Sequence, residues 1–216
     1  MVDSTRRVGG RGESWTIRAY HACDLLYRVA ALNLLWIGFT LLGGVLLGAA
    51  PATVAAHTLA RRQIRGETVP VVREFGRVWR AEFGRANVLL LPAGLVGGLL
   101  WLNWLLFGAA QDAAGIALAA AVLLAAVLTL AWYAVLVPLY VHYDLPLSAY
   151  SAAASRFVLA NPAPAALLLV VAAGIAVVTA TVPGLLPFLS IGAWVHLDTA
   201  LCLSFFHRND ERRSSP

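Results

Sequence analysis

Long apolar runs, cut by short polar or turn-forming punctuation, organise this chain of 216 residues. Residues 1–14 are polar, Gly-rich and basic, with almost nothing to bury, and read as a disordered basic tail. From Trp15 the chain becomes amphiphilic and helical. Val29–Ala60 then runs without a formal charge. As one helix it would be about 48 Å long, against a hydrocarbon core of about 30 Å, so it must break. Gly43-Gly44 and Pro51 are the candidate breaks. One solution is a span to about Ala50 followed by a surface helix started by Pro51. The other is a tight hairpin at Gly43-Gly44 whose short second arm ends at Arg61. Four clearer apolar runs follow: Asn87–Ala110, Ala113–Val141, Ala163–Val182 and Leu185–Phe206. The connectors Gln111-Asp112 and Pro183-Gly184 are so short that each flanking pair must be an antiparallel helical hairpin. His207–Pro216 is a polar tail.

Composition turns this pattern into a membrane protein. Hydrophobic residues make up 60% of the chain and charged residues 12%, about half the charged fraction usual in soluble domains. The expected fold is all-α: a polytopic transmembrane helical bundle of five clear spans, a short or re-entrant helix at about 45–61, and an amphipathic interfacial helix. Residues 15–206 form one domain, with the segment 61–86 on the cytoplasmic side. All sixteen basic residues are Arg; with the abundance of Ala this suggests a GC-rich bacterial coding sequence. Short basic loops stay in the cytoplasm. The two tight connectors lack Arg and face outward, which places Arg61–Arg85, Arg156, Arg208, Arg212 and Arg213 inside. The hairpin solution adds Arg6, Arg7, Arg11, Arg18 and Arg28 to the same side, whereas the single-span solution leaves these five outside. The hairpin is therefore adopted: a multi-pass protein of the bacterial inner membrane with both termini cytoplasmic. No secretory signal peptide is visible.

The stretch "RRQIRGETVPVVREFGRVWRAEFGRAN" (61–87) holds seven arginines: Arg61, Arg62, Arg65, Arg73, Arg77, Arg80 and Arg85. Gly66 reads as a helix stop, and Thr68 with Pro70 as a restart. At about 100° per residue, Val71, Val72, Phe75, Val78, Trp79, Phe83 and Ala86 share one arc about 140° wide, with most charges opposite. Glu82 alone falls inside the apolar arc, where Arg85 is the expected partner. Such a helix suits the membrane interface, with its arginines on anionic inner-leaflet lipid or on a partner subunit. A nucleic-acid surface would leave the aromatic arc in water, so no nucleic-acid partner is expected.

Within the apolar runs, Asp198 carries the most information. A carboxylate deep in a span is costly and must face protein or water. Asn33, Asn103 and Arg28 are its expected neighbours, and Asn33 and Asn103 are suited to interhelical hydrogen bonds. His196 lies on another face of the same helix. His57, His142 and His196 lack the spacing of metal ligands. Gly44/Gly48 and Gly94/Gly98 suggest close helix packing. Cys23 and Cys202 read as small buried hydrophobes. No nucleophile, acid–base pair, phosphate loop or metal motif converges. The expectation is a non-enzyme without cofactor or metal.

"LNLLW" (32–36), the Gly-rich break, "PATVAAHTLARRQIRGE" (51–67) and "FGRVWRAEFGRAN" (75–87) together resemble the YesL-like family of bacterial membrane proteins, a domain of unknown function. The resemblance runs from about Tyr20 to Phe206 and is strongest over 32–87. It rests on Asn33, Trp36, Pro51, Ala52, Thr53, Arg65 and Gly66. It implies an integral inner-membrane protein whose genes often neighbour those for carbohydrate-uptake ABC transporters and glycan-degrading enzymes, and it carries no functional residues over. The expected role is an accessory or regulatory component of such an uptake system, touching lipid and ABC permease or ATPase subunits. "SAYSAAASRFVLANPAPA" (148–165) has the general shape of the permease loop that docks an ATPase, without that loop's Gly. The alternative is a small transporter or channel using Asp198, Asn33 and Asn103.

The hairpin topology has a direct check. With Ser4→Cys in the tail, a membrane-impermeant maleimide added to intact cells is expected to give no labelling above the parent chain. Labelling from outside would restore the single-span topology.

Overall fold

The computed structural model describes residues 12–107 and 112–214. Residues 1–11 of the tail expected at 1–14, part of the Gln111-Asp112 connector and the last two residues lie outside the described residues, while 12–14 already belong to the first helix. Seven helices follow one another: α1 Gly12–Leu42, α2 Leu46–Ile64, α3 Val71–Phe107, α4 Ala113–His142, α5 Leu147–Ala160, α6 Pro162–Thr181 and α7 Ile191–Ser214. A 3-10 turn, Pro183–Leu185, and a π-helical turn, Leu186–Ser190, lead into α7. There is no strand among the described residues. Five segments are long and apolar enough to cross a membrane: Trp15–Leu42, Val71–Leu106, Ala113–His142, Pro162–Thr181 and Pro183–Asp210. The polar ending expected from His207 is the helical continuation of α7.

The first apolar run breaks at Gly43-Gly44, as the hairpin reading requires. Gly44 has φ 73° and Val45 φ 63°. A β-branched residue rarely enters the left-handed region, and this one is held by Val45 N donating to Thr40 O at 2.9 Å. The turn closes because two glycines meet across it. A Cβ on Gly43 would lie 2.3 Å from Gly48 Cα, and one on Gly48 would lie 2.3 Å from Thr40 O. Close approach thus runs through Gly43 and Gly48. Gly94 and Gly98, expected as a packing pair, have no atom within 4 Å of the place a Cβ would take.

Pro51 does not start a surface helix; it lies inside α2. Eleven of the 19 residues of α2 are buried, and most are Ala, Gly or Val. Small side chains let α1, α3, α4 and α7 all approach this helix. The shortest of the early helices is therefore the centre of the bundle. Leu32, Leu59, Phe75, Val78 and Val195 form one core around it. A second core joins the ends of α4 and α7 to α5 and α6 through Leu136, Tyr150, Leu168 and Phe206. Cys202 is buried in that second core, whereas Cys23, expected to be buried as well, is exposed on α1.

The basic stretch is helical from Val71, and no break separates it from the following span: α3 has 37 residues. At about 1.5 Å per residue it measures about 55 Å, so its Arg-rich first part extends well beyond one bilayer core. Its apolar arc does not rest on lipid as the sequence suggested. Phe75 and Ala86 are fully buried, and Val78 nearly so, against the α1–α2 hairpin. Phe39 of α1 stacks on Phe75 and Trp79 with ring centroids 5.0 and 5.6 Å apart. The helical wheel found the apolar side correctly; the neighbouring hairpin covers Phe75, Val78 and Trp79 and leaves Val72 exposed. Glu82 also differs from expectation. Its carboxylate accepts a hydrogen bond from Tyr140 OH of α4 at 2.5 Å.

α7 crosses α1 at Gly192, where an added Cβ would sit 2.1 Å from Val29 O. Gly192→Ala should therefore force the two helices apart and lower the thermal unfolding midpoint in detergent by several degrees, about 1–3 kcal/mol of overpacking. Gly98→Ala meets open space and should leave the midpoint unchanged or slightly raised. Equal midpoints for the two variants would refute the crossing.

Candidate functional site

Two polar constellations stand out. The first is a buried cluster where α2 meets α7. His57 and Asp198 are each 1% exposed. Thr199 Oγ1 donates to Val195 O at 2.6 Å. A hydroxyl has one proton, so the 2.9 Å contact between Thr199 Oγ1 and His57 Nδ1 must have the imidazole as donor. That fixes the proton of a neutral His57 on Nδ1 and turns the lone pair of Nε2 toward Asp198. The Nε2–Oδ2 distance is 3.8 Å, beyond a formed hydrogen bond, and Oδ2 has no other partner. The Cys202 thiol donates weakly toward Asp198 Oδ1 at 3.8 Å and Ala134 O at 3.9 Å.

Proton counting gives two arrangements of equal total charge. Asp198 carries a proton facing the Nε2 lone pair, or His57 carries both ring protons facing a carboxylate. Either is net neutral, which is what a water-excluded interior tolerates. The cluster can hold one proton between two helices. It contains no exposed nucleophile.

The partners expected for Asp198 are elsewhere. Asn33, fully buried, ties α1 to the start of α7. Its amide donates to Leu186 O and Pro187 O at 3.2 and 2.6 Å, and its Oδ1 accepts from Ile191 N and Gly192 N at 2.8 and 2.9 Å. It caps a helix on another chain segment and bridges the irregular turn preceding it. Asn103 is exposed and donates only to Leu99 O of its own helix at 3.0 Å. Arg28 pairs with Asp24 at 2.7 Å and reaches Gln63 O at 3.5 Å. Asp198, Asn33 and Asn103 therefore do not line one path. The His57–Asp198 meeting was missed because about 140 intervening residues hide it. The available signal was only that each is an ionisable group inside a long apolar run.

The second constellation is the basic end. Arg62 binds Glu67 at 2.7 Å and Glu74 at 2.5 Å, and Arg77 binds Glu74 at 2.5 Å. The Arg62–Glu74 pair stitches the end of α2 to the start of α3, and Arg77 braces Glu74 from the same helix. Arg61 reaches across to α4, donating from Nη1 to Val141 O at 2.7 Å. Arg65, Arg73, Arg80 and Arg85 are exposed. The seven arginines thus divide between internal ties and a free surface.

The family model for a protein of unknown function, DUF624, matches residues 29–104. This covers the second half of α1, all of α2 and most of α3, with Asn33, His57 and all seven arginines. Three proteins of Bacillus subtilis (strain 168) are similar to the chain, and each is described only as uncharacterized. YesV is 34% identical over 170 residues, covering 78% of this chain and 82% of its own. YteU is 29% identical over 175 residues, covering 81% and 78%. YesL is 41% identical over 70 residues, covering 32% and 34%. No solved structure matches.

The polar side chains predict opposite responses to the same substitution. Asn33→Leu strands two backbone N–H groups and two carbonyls in an apolar setting and should cost about 2–4 kcal/mol in unfolding experiments in detergent. Asn103→Leu removes only a local bond on an exposed face and should cost less than about 0.5 kcal/mol. Comparable losses would show that Asn33 is not the tie described.

Proposed function

This chain belongs to the YesL-like DUF624 family of proteins of unknown function, and we propose that it serves as a non-enzymatic accessory subunit of a carbohydrate-uptake ABC transport system. It sits in the bacterial inner membrane with its basic end and both termini in the cytoplasm, where the ATPase subunits of such a system work. The class of system comes from the family resemblance and its gene neighbourhood. The observation that carries the role is the division of polar groups. Asn33, Asn87 and Thr199 inside the bundle hold helices together, while exposed arginines gather at one end. There Arg65, Arg73 and Arg80 stand exposed, and α5, packed beside the end of α4, turns Ser151, Ser155, Arg156 and Leu159 to the outside. Leu159 is 80% exposed. A basic face beside a small-residue helix with one protruding Leu fits a partner subunit better than a substrate path. The transporter alternative is weakened by Asn103, which faces away from Asp198 on an exposed helix surface.

Crosslinking in native membranes, followed by affinity purification of the full chain in mild detergent, is expected to recover permease or ATPase subunits. Recovery should fall several-fold for Arg73→Glu with Arg80→Glu, both on the exposed face of α3. Clean isolation of the protein alone would sink the accessory role.

A further inference from the structure

Where α5 gives way to α6, the chain faces the end of α7 across a cleft of about 510 Å³. One wall carries Phe157, Asn161 and Leu167, the other Phe205, Arg208 and Asn209. The three α7 residues are spaced i, i+3 and i+4, which sets them on one face of the helix. α6 and α7 are antiparallel: Thr179 meets Ser190 at their far end, 2.7 Å apart, and the cleft lies at the near end. The apolar segment Pro162–Thr181 begins at this cleft, and the segment Pro183–Asp210 ends there. Both walls therefore grade from polar to apolar in the same direction. Leu167 lies about 9 Å deeper along α6 than Asn161. On α7, Phe205 lies on the deep side, with Arg208 and Asn209 on the outer side. Among the described residues Arg208 is the one charged group on the walls, and no carboxylate pairs with it. Asp210, close by in sequence, is outside the cleft and accepts from Tyr143 OH at 3.1 Å.

We propose that this cleft binds one anionic phospholipid, with a single phosphodiester and an uncharged polar head, from the leaflet that this end of the bundle meets. Arg208 takes the phosphate, for which a guanidinium has a fitting set of N–H donors. Asn209 and Asn161 serve the hydroxyls of the head; Asn161 donates its Nδ2 to Phe157 O at 3.1 Å, which leaves its Oδ1 as an acceptor. Leu167 and Phe205 cover the start of an acyl chain. A single unneutralised cation sets the count at one phosphate. A zwitterionic head would bring an ammonium group to walls that hold no carboxylate, and a soluble anion would leave the apolar end uncovered. A lipid supplies both halves in the right order, at a depth where lipid is already the solvent, and basic pockets between spans suit such heads. The cleft is in the size range of small-molecule sites. The site stands apart from the accessory-subunit reading, because lipid binding is measured on the purified chain with no partner present.

The test titrates the full chain in mild detergent with phosphatidylglycerol or phosphatidylcholine of the same acyl chains, and native mass spectrometry counts the lipid bound. Phosphatidylglycerol should saturate at one lipid per chain and bind about fivefold tighter than phosphatidylcholine. Arg208→Gln should bring the two lipids to within about twofold of each other. Arg156→Gln and Arg73→Gln, both exposed and outside the cleft, should leave the preference intact. Arg208 is exposed, so its replacement disturbs no packed core. Should that variant still fail to fold, Leu167→Trp, which fills the apolar end from a half-exposed position, should weaken phosphatidylglycerol binding by about fivefold. In native membranes, a photoreactive benzoylphenylalanine in place of Leu167 should crosslink to lipid. Equal affinity for the two lipids in the parent chain would overturn the proposal. So would a preference that survives Arg208→Gln or falls equally with Arg73→Gln, which marks general surface attraction. A protein crosslinked at position 167 would overturn it too, giving the cleft to a partner subunit.

Discussion

Everything in this bundle depends on a short helix of small residues being accepted at its centre. α2 is made largely of Ala with a proline and a histidine, and it is not apolar enough to count among the membrane-crossing segments. Its backbone and polar side chains must therefore be satisfied by the helices around it, since few of them reach solvent. Each neighbour supplies something specific. Trp36 of α1 donates to Thr53 Oγ1 at 3.0 Å. Asn87 of α3 donates to Leu47 O at 2.9 Å. Thr199 of α7 accepts from His57, and Val141 of α4 accepts from Arg61. Apolar packing alone would let these helices slide. The polar stitches fix one register.

Two of the stitches answer prolines. Proline removes the N–H that would satisfy the carbonyl four residues earlier. Pro51 frees Leu47 O, and Asn87 fills that vacancy from another helix. Pro138 of α4 frees Ala134 O, and the Cys202 thiol of α7 approaches it at 3.9 Å. Asn33 performs a related task at the irregular turn before α7, where 3-10 and π geometry leave main-chain groups unpaired within the helix. Asn33, one of the side chains that suggested a transport path, is thereby committed to satisfying backbone groups.

Much of this was legible in the chain. The apolar runs gave the spans, and the excess length of Val29–Ala60 forced a break that the glycines at 43 and 44 supply. The periodicity of 71–86 identified the correct apolar face. What could not be read was the identity of each face's neighbour. A wheel shows that Phe75 and Val78 lie together, yet cannot distinguish a bilayer from an α1–α2 hairpin, since both are apolar. Pairings across long separations were equally hidden: Asp198 with His57, and Glu82 with Tyr140. Asp198 invited pairing with Asn103 because both lie in spans, but rotation about the α3 axis turns Asn103 outward. Helix rotation is set by packing against neighbours, and local sequence does not contain it.

The centrality of α2 also links the two polar regions. His57 and Arg61 are four residues apart and so lie on one side of the same helix, one turn from each other. The first is held by α7 and the second by α4. A shift of α2 along its axis would have to break both attachments together, along with the Asn87 bond to Leu47 O near its other end. Sliding α2 alone is thereby opposed at three points along its length. Any displacement of Arg61 along that axis must carry α7 and its buried Asp198 with it. The α3 side is held as well, by the Asn87 bond to α2, the Arg62–Glu74 pair and the hydrogen bond from Tyr140 of α4 to Glu82.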